Sequence, residues 1–133
     1  AVPAAALWRA GNALDARQPI NRETHAVHAA AWARPDGTLD IVREDVGRHN
    51  ALDKVLGALA RSGTDAADGF LVVTSRASFE LVQKAAAAGV PILAAVSRPT
   101  GLAIRIAEAS GIALVGLLRG NSANVYSHSE RIT

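Results

Sequence analysis

The chain has 133 residues, half of them hydrophobic, with a formal charge of only +2 and neither cysteine nor methionine. Such a length and composition specify one folded domain and exclude disorder, while so slight a basic excess and so few aromatic rings argue against a nucleic-acid platform and for no nucleic-acid partner. Without cysteine there is no disulfide, thiolate metal site or catalytic thiol, and no apolar run approaches the roughly 18 residues of a spanning helix, so neither a membrane role nor an oxidising compartment is called for.

Residues 3–18 are predicted to form a helix, with Leu7, Trp8, Ala10, Gly11 and Leu14 near one face and Pro3 in the first turn. Residues 21–23 make a polar break. Residues 27–33 read as a strand, Pro35, Asp36 and Gly37 as a turn, and residues 38–43 as a half-buried strand that alternates Leu39 and Ile41 with polar neighbours. The two strands are expected to form an antiparallel hairpin. A helix follows over residues 47–61, on the helical spacing of Ala51, Leu52, Val55, Leu56 and Leu59, with Asp45 as its cap and Gly63 as its stop.

Strand and helix then alternate: a strand over 69–74, a helix from Ser78 to Gly89, a strand over 91–96, a helix from Thr100 to Gly111, and a strand over 112–118, with residues 124–126 as a short extended tail. The pattern specifies an α/β fold, a three-layer αβα sandwich around a mixed five-stranded sheet, in which a hairpin lies beside three parallel strands. The abundant alanine implies close approach of helices to the sheet rather than a bulky aromatic core.

All three parallel strands leave the sheet through arginine and hydroxyl groups. The first exits into Ser75, Arg76 and Ser78, the second into Ser97, Arg98 and Thr100, and the third into Arg119, Gly120, Asn121 and Ser122. If the strands are neighbours, these exits line the edge where open α/β sheets bind ligands. Arg is always charged and offers a planar fork of donors, and helix starts at Ser78 and Thr100 present free amides, so the edge is expected to hold a phosphorylated small molecule. Gly120 and Asn121 tolerate left-handed backbone, which lets successive amides face one anion. Taken singly, each loop also reads as an ordinary cap beside a solvated arginine.

Two further groups of residues could carry chemistry. Residues 43–54 crowd charge at the passage from strand to helix, and His49 and Asp53, four apart, share a helix face where the carboxylate could orient the imidazole. Glu44, Asp45 and Arg48 can equally form a structural ion-pair and capping cluster, the reading with more weight here. His25 and His28 lie three apart, which on a strand sends them to opposite faces and argues against a metal site.

At these residues the sequence resembles the FdhD family. The resemblance rests on the run from Glu44 through Arg48, His49 and Asp53 to Lys54, on the run from Ser75 through Phe79 to Ala85, on the run from Val90 to Ser97, and on Asn124, Val125, Tyr126, Ser127 and His128. The resemblance implies a cytidine-deaminase-like fold and a sulfur-carrier accessory protein for formate dehydrogenase. Such a protein takes persulfide sulfur from a cysteine desulfurase and passes it to a guanine-nucleotide molybdenum cofactor, molybdenum bis(molybdopterin guanine dinucleotide), which is bound as cargo and for which GDP is an analogue. It implies that Leu117, Leu118, Arg119, Gly120, Asn121 and Ser122 contribute to the cofactor site, and it suggests a cytoplasmic homodimer. Zinc-deaminase chemistry is not implied, because the H-x-E and P-C-x-x-C ligand pattern is missing.

Two departures qualify the match. The family's sulfur-accepting C-x-x-C loop has no counterpart in a chain without cysteine, and family members often carry glycine near His25 and Ala26. The expectation is therefore a single domain over residues 1–133, the C-terminal cofactor-binding part of a longer protein lacking its upstream sulfur loop. It would bind cofactor through the strand exits, with Arg48, His49 and Asp53 in support, and would carry no sulfur by itself, so that sulfurtransferase activity belongs to the intact protein. The alternatives are a non-catalytic docking module for formate dehydrogenase and a hydrolase using His49 with Glu44 or Asp45.

Overall fold

The computed structural model describes residues 2–16 and 28–133, apart from the Arg119 side chain. In chain order the elements are α1 (Ala4–Ala16), β1 (His28–Ala33), β2 (Leu39–Asp45), α2 (Arg48–Ser62), β3 (Phe70–Val73), α3 (Phe79–Ala88), β4 (Ile92–Ala95), α4 (Gly101–Ser110), β5 (Ala113–Arg119) and β6 (Ser122–Val125). The expected helix over 17–18, the polar break at 21–23, His25 and the first strand position at 27 lie outside the described residues.

One sheet runs in the order β2-β1-β3-β4-β5-β6. β1 pairs antiparallel with both β2 and β3, so β2 and β3 point the same way; β4 and β5 continue parallel to them. Consequently four strands, β2 to β5, end at a single edge of the sheet. The helices that follow β2, β3 and β4 all begin there.

The expected sheet has five strands; among the described residues the sheet has six. Residues 122–125 are not a tail but β6, which folds back antiparallel on β5 through a two-residue turn at Gly120 and Asn121. Gly120 has φ +54, the left-handed geometry that a tight hairpin turn needs.

The layers follow from alternation along the strands. Leu71 and Val73 of β3 face one way, with Leu93, Ala95 and Leu114, into a core closed by α2, α3 and α4. Phe70 and Val72 face the other way, with Ala94, Ala113 and Val115, into a core closed by α1. Both faces being covered, β3 to β5 carry unbroken apolar runs rather than an alternating pattern. Alanine permits the close approach anticipated from composition: Ala29, Ala30, Ala31 and Ala33 of β1 are all buried, and a Cβ added to Gly11 of α1 would stand 2.7 Å from Leu118 Cδ2.

Gly63, Gly89 and Gly111 end α2, α3 and α4 in left-handed backbone, as expected for helix stops. Asp45 does not cap α2. The N-cap is Gly47, and Asp45 is the last residue of β2, held there by its register opposite His28. Its carboxylate accepts the Gly47 N–H at 3.0 Å and pairs with Lys54 Nζ at 2.7 Å. Those contacts, the Gly47 amide first, hold its carboxyl below the usual aspartate range.

Candidate phosphate-binding edge

The loops that leave β3, β4 and β5 are stitched to one another. The Thr100 N–H donates to the Ala77 carbonyl at 3.1 Å and the Leu117 N–H to the Ser97 carbonyl at 3.2 Å, while the Val96 N–H donates to the Val73 carbonyl. The three exits therefore form one continuous rim. Arg76 and Arg98 are exposed on it, Ser97 and Thr100 are half-buried, and Ser75 and Ser78 are buried. β5 carries Arg119 to the same rim as its last residue.

Packing fixes the rim from below. Pro99 is buried against Gly116, where an added Cβ would lie 2.5 Å from Pro99 Cδ and 3.0 Å from Tyr126 Cε2. Between Gly116 and Arg119 the β5–β6 register slips, so Leu117 and Leu118 together oppose Ala123. Leu117 adopts φ +53, a conformation that costs a branched residue energy and that clusters at functional loops. Leu118 is a core residue, buried against α1, so only its backbone is left for a ligand. Asn12 of α1 donates from Nδ2 to the Gly120 carbonyl at 3.0 Å and pins the hairpin turn. The sequence pattern does not predict this contact; its trace there is a polar residue beside the apolar positions Ala10 and Gly11. Gly120, Asn121 and Ser122 are exposed at the tip.

The two helix starts on this rim differ. The Thr100 hydroxyl accepts the Ala103 N–H at 3.1 Å and closes the first turn of α4. Ser78 occupies the same position on α3 but makes no capping bond, and its buried Oγ has no partner among the described residues. The expected cap at Ser78 is thus a cap by position only.

The charged group at the start of α2 reaches the same edge, since β2 ends there. His49 is half-buried and Arg48 exposed. The expected His49–Asp53 pair is not made: Asp53 Oδ1 instead receives Lys84 Nζ of α3 at 2.8 Å. Lys54 binds Asp45 and the Glu44 carbonyl. The cluster is therefore built as a set of structural ion pairs that join α2 to β2 and α3. His28, at the head of β1, lies opposite Asp45 on this edge, while His25 is outside the described residues.

A cleft of about 580 Å³ opens at the opposite edge, between Val2, Arg34, Asp68, Gly69, Pro91 and Arg131. Its cations are already engaged: Arg34 pairs with Asp40 at 3.1 Å, and Arg131 Nη1 donates to the Pro91 and Gly111 carbonyls. Arg76 and Arg98, with no ion pair among the described residues, two helix starts and the Ser78 hydroxyl occur instead on the rim of strand exits, which makes that rim the candidate anion site.

Among the described residues, a helix on one face, three on the other and a mixed sheet between them make the three-layer architecture of cytidine-deaminase-like folds. A guanine deaminase from Nitrosomonas europaea is similar over 91% of this chain and 81% of its own, with a TM-score of 0.63 and 21% identity, a likeness of fold alone. The chain itself belongs to the FdhD/NarQ family, whose model matches residues 1–133. It is 60% identical over 127 residues to the sulfur carrier protein FdhD of Xanthomonas axonopodis pv. citri, covering 96% of this chain and 45% of that protein. It is 54% identical over 131 residues to the sulfur carrier protein FdhD of Bordetella petrii, covering 98% and 47%. The chain thus spans just under half the length of these curated relatives. A solved structure described as a formate dehydrogenase accessory protein, from Desulfotalea psychrophila, superposes with a TM-score of 0.91 at 32% identity over 99% of this chain and 59% of that one. No described helix is long and apolar enough to cross a membrane.

Proposed function

We propose that this chain is the cofactor-docking part of a sulfur-carrier accessory protein for formate dehydrogenase. In this reading the rim of strand exits holds the phosphates of a guanine-nucleotide molybdenum cofactor, which is cargo. Persulfide sulfur reaches that cargo from a cysteine outside this chain, loaded by a cysteine desulfurase. The chain contains no cysteine, so its own residues bind and orient; none forms a covalent bond to sulfur. A cytoplasmic location and a homodimeric assembly belong to the same reading.

The observation that carries it is the joining of three separate exits into one rim, through the Ala77–Thr100 and Ser97–Leu117 bonds, with Arg76 and Arg98 exposed on it. The names of the relatives support the sulfur-carrier role, and the rim supplies the physical means of docking. Of the two carboxylates that the hydrolase alternative offers His49, Asp45 is committed to Lys54, which leaves that alternative to Glu44.

Calorimetric titration of GDP tests this. Wild-type chain is expected to bind GDP, and Arg76→Ala with Arg98→Ala together to weaken binding at least about tenfold, as removal of charge-assisted bonds to phosphate does. Equal affinities in wild type and the double variant would remove the rim from the site.

A further inference from the structure

We propose that the first turn of α3 is a distinct phosphoryl subsite on this rim, separate from the β5–β6 turn and completed by the Ser78 hydroxyl. The proposal deepens the docking reading and rests on it.

Two N-cap residues of the same kind stand on this rim. Ser78 and Thr100 have nearly the same extended backbone, φ −89° with ψ 165° and φ −76° with ψ 157°. In that geometry a hydroxyl normally accepts a first-turn amide, as Thr100 does from Ala103. Ser78 does not, although the residue is only 8% exposed and its Oγ is shut off from solvent. A buried hydroxyl without a partner is costly and uncommon in a folded protein. The first intrahelical bond of α3 runs from the Val82 N–H to the Ser78 carbonyl, so the amides of Phe79, Glu80 and Leu81 have no acceptor within the helix. Turned about χ1 toward the rim, the closed-off Ser78 hydroxyl would join the first-turn amides, at the positive end of a ten-residue helix, and exposed Arg76 two residues upstream, a set of donors suited to an anion with several acceptor oxygens.

A phosphoryl group answers that need best. It offers three acceptor oxygens to three kinds of donor, and more charge than a carboxylate. One neighbouring group opposes it. Glu80 lies in the first turn of α3 and complements the helix dipole while the subsite is empty; it repels an anion that binds there. That opposition gives the proposal a signed test. The subsite is also displaced from the β5–β6 turn, because β4 lies between β3 and β5. Two strand spacings amount to roughly 10 Å, too far for one phosphoryl group to touch both.

The test is titration of the chain with GDP, guanosine and inorganic phosphate, for wild type, Ser78→Ala and Glu80→Gln. Ser78→Ala is expected to weaken GDP and phosphate by about tenfold, and Glu80→Gln to strengthen both severalfold, with guanosine unaffected by either. Ligand-free melting of Ser78→Ala reports whether the variant folds; a melting loss equal to that of Thr100→Ala would mean the hydroxyl is an ordinary cap and would overturn the proposal. Unchanged GDP and phosphate affinities in both variants, with the Arg76/Arg98 double variant still weakened, would remove this subsite and leave the docking reading standing. Failure of the wild type to bind either GDP or phosphate would overturn both.

Discussion

Replacing the two helix-start hydroxyls in turn separates a cap from a ligand group. Thr100 accepts the Ala103 amide, so Thr100→Ala removes a bond that closes α4 and is expected to cost about 1 kcal/mol. In a domain of 133 residues that lowers Tm by about 4 °C. Ser78 makes no such bond, and its hydroxyl is buried at the expense of its hydration. Ser78→Ala therefore removes an unmet polar group rather than a contact, and Tm is expected to stay within about 1 °C of wild type or to rise. The assay is far-UV circular dichroism melting of both variants in a buffer free of phosphate, repeated with phosphate added. Added phosphate is expected to raise the Tm of wild type and of Thr100→Ala more than that of Ser78→Ala, because a ligand that binds only the folded chain stabilises it by mass action. Equal losses for the two variants without ligand would refute the reasoning, since the hydroxyls would then be doing the same job.

Other consequences are testable by stability alone. Gly69→Ala would place a Cβ 2.2 Å from the Ala33 carbonyl oxygen and 2.5 Å from the Trp32 ring, both in the buried β1–β3 seam, and is expected to cost at least about 2 kcal/mol in urea unfolding; a loss below half that would show that the seam yields. His128 is bonded to the Glu108 carbonyl and to Glu130, and these contacts, the carbonyl first, raise its pKa above the ordinary 6.5. The stabilisation is complete below that value and fades as pH rises through the folded pKa, so wild type is expected to lose stability in that window and His128→Gln to lose none of that component; parallel pH profiles would contradict it. Asp53→Ala is expected to couple to Lys84→Ala by less than about 1 kcal/mol, both groups being partly exposed, and not to couple to His49→Ala; a double-mutant cycle that reversed this preference would restore the histidine–carboxylate pair.

Much of the architecture was legible because both faces of the sheet are covered. Continuous apolar runs of four or more residues, each followed by a hydroxyl and closed by a glycine some ten residues later, are hard to read as anything but strand, cap and helix stop. The common rim followed from topology, since parallel neighbours must end together. What escaped the sequence reading was set by contacts distant in the chain. β2 extends to Asp45 because His28 of β1 lies opposite it, which moves the cap to Gly47. Asp53 takes Lys84, 31 residues away, in preference to His49 on its own helix. β6 is a different case: the Gly120–Asn121 pair is a recognised hairpin signal, but the strand beyond it is short, polar and mostly exposed, so no apolar pattern announces it. Nor does sequence distinguish Ser78 from Thr100, since both sit before a helix and only the packing around them decides which hydroxyl is used.

A map of backbone amide chemical shifts during GDP titration tests the docking edge most directly. Shifts are expected to gather at residues 75–81, 97–100 and 117–122, on the rim where β3, β4 and β5 end. Shifts confined to the cleft around Val2, Asp68, Gly69 and Pro91 at the other edge of the sheet, or the absence of any shift at saturating nucleotide, would contradict it.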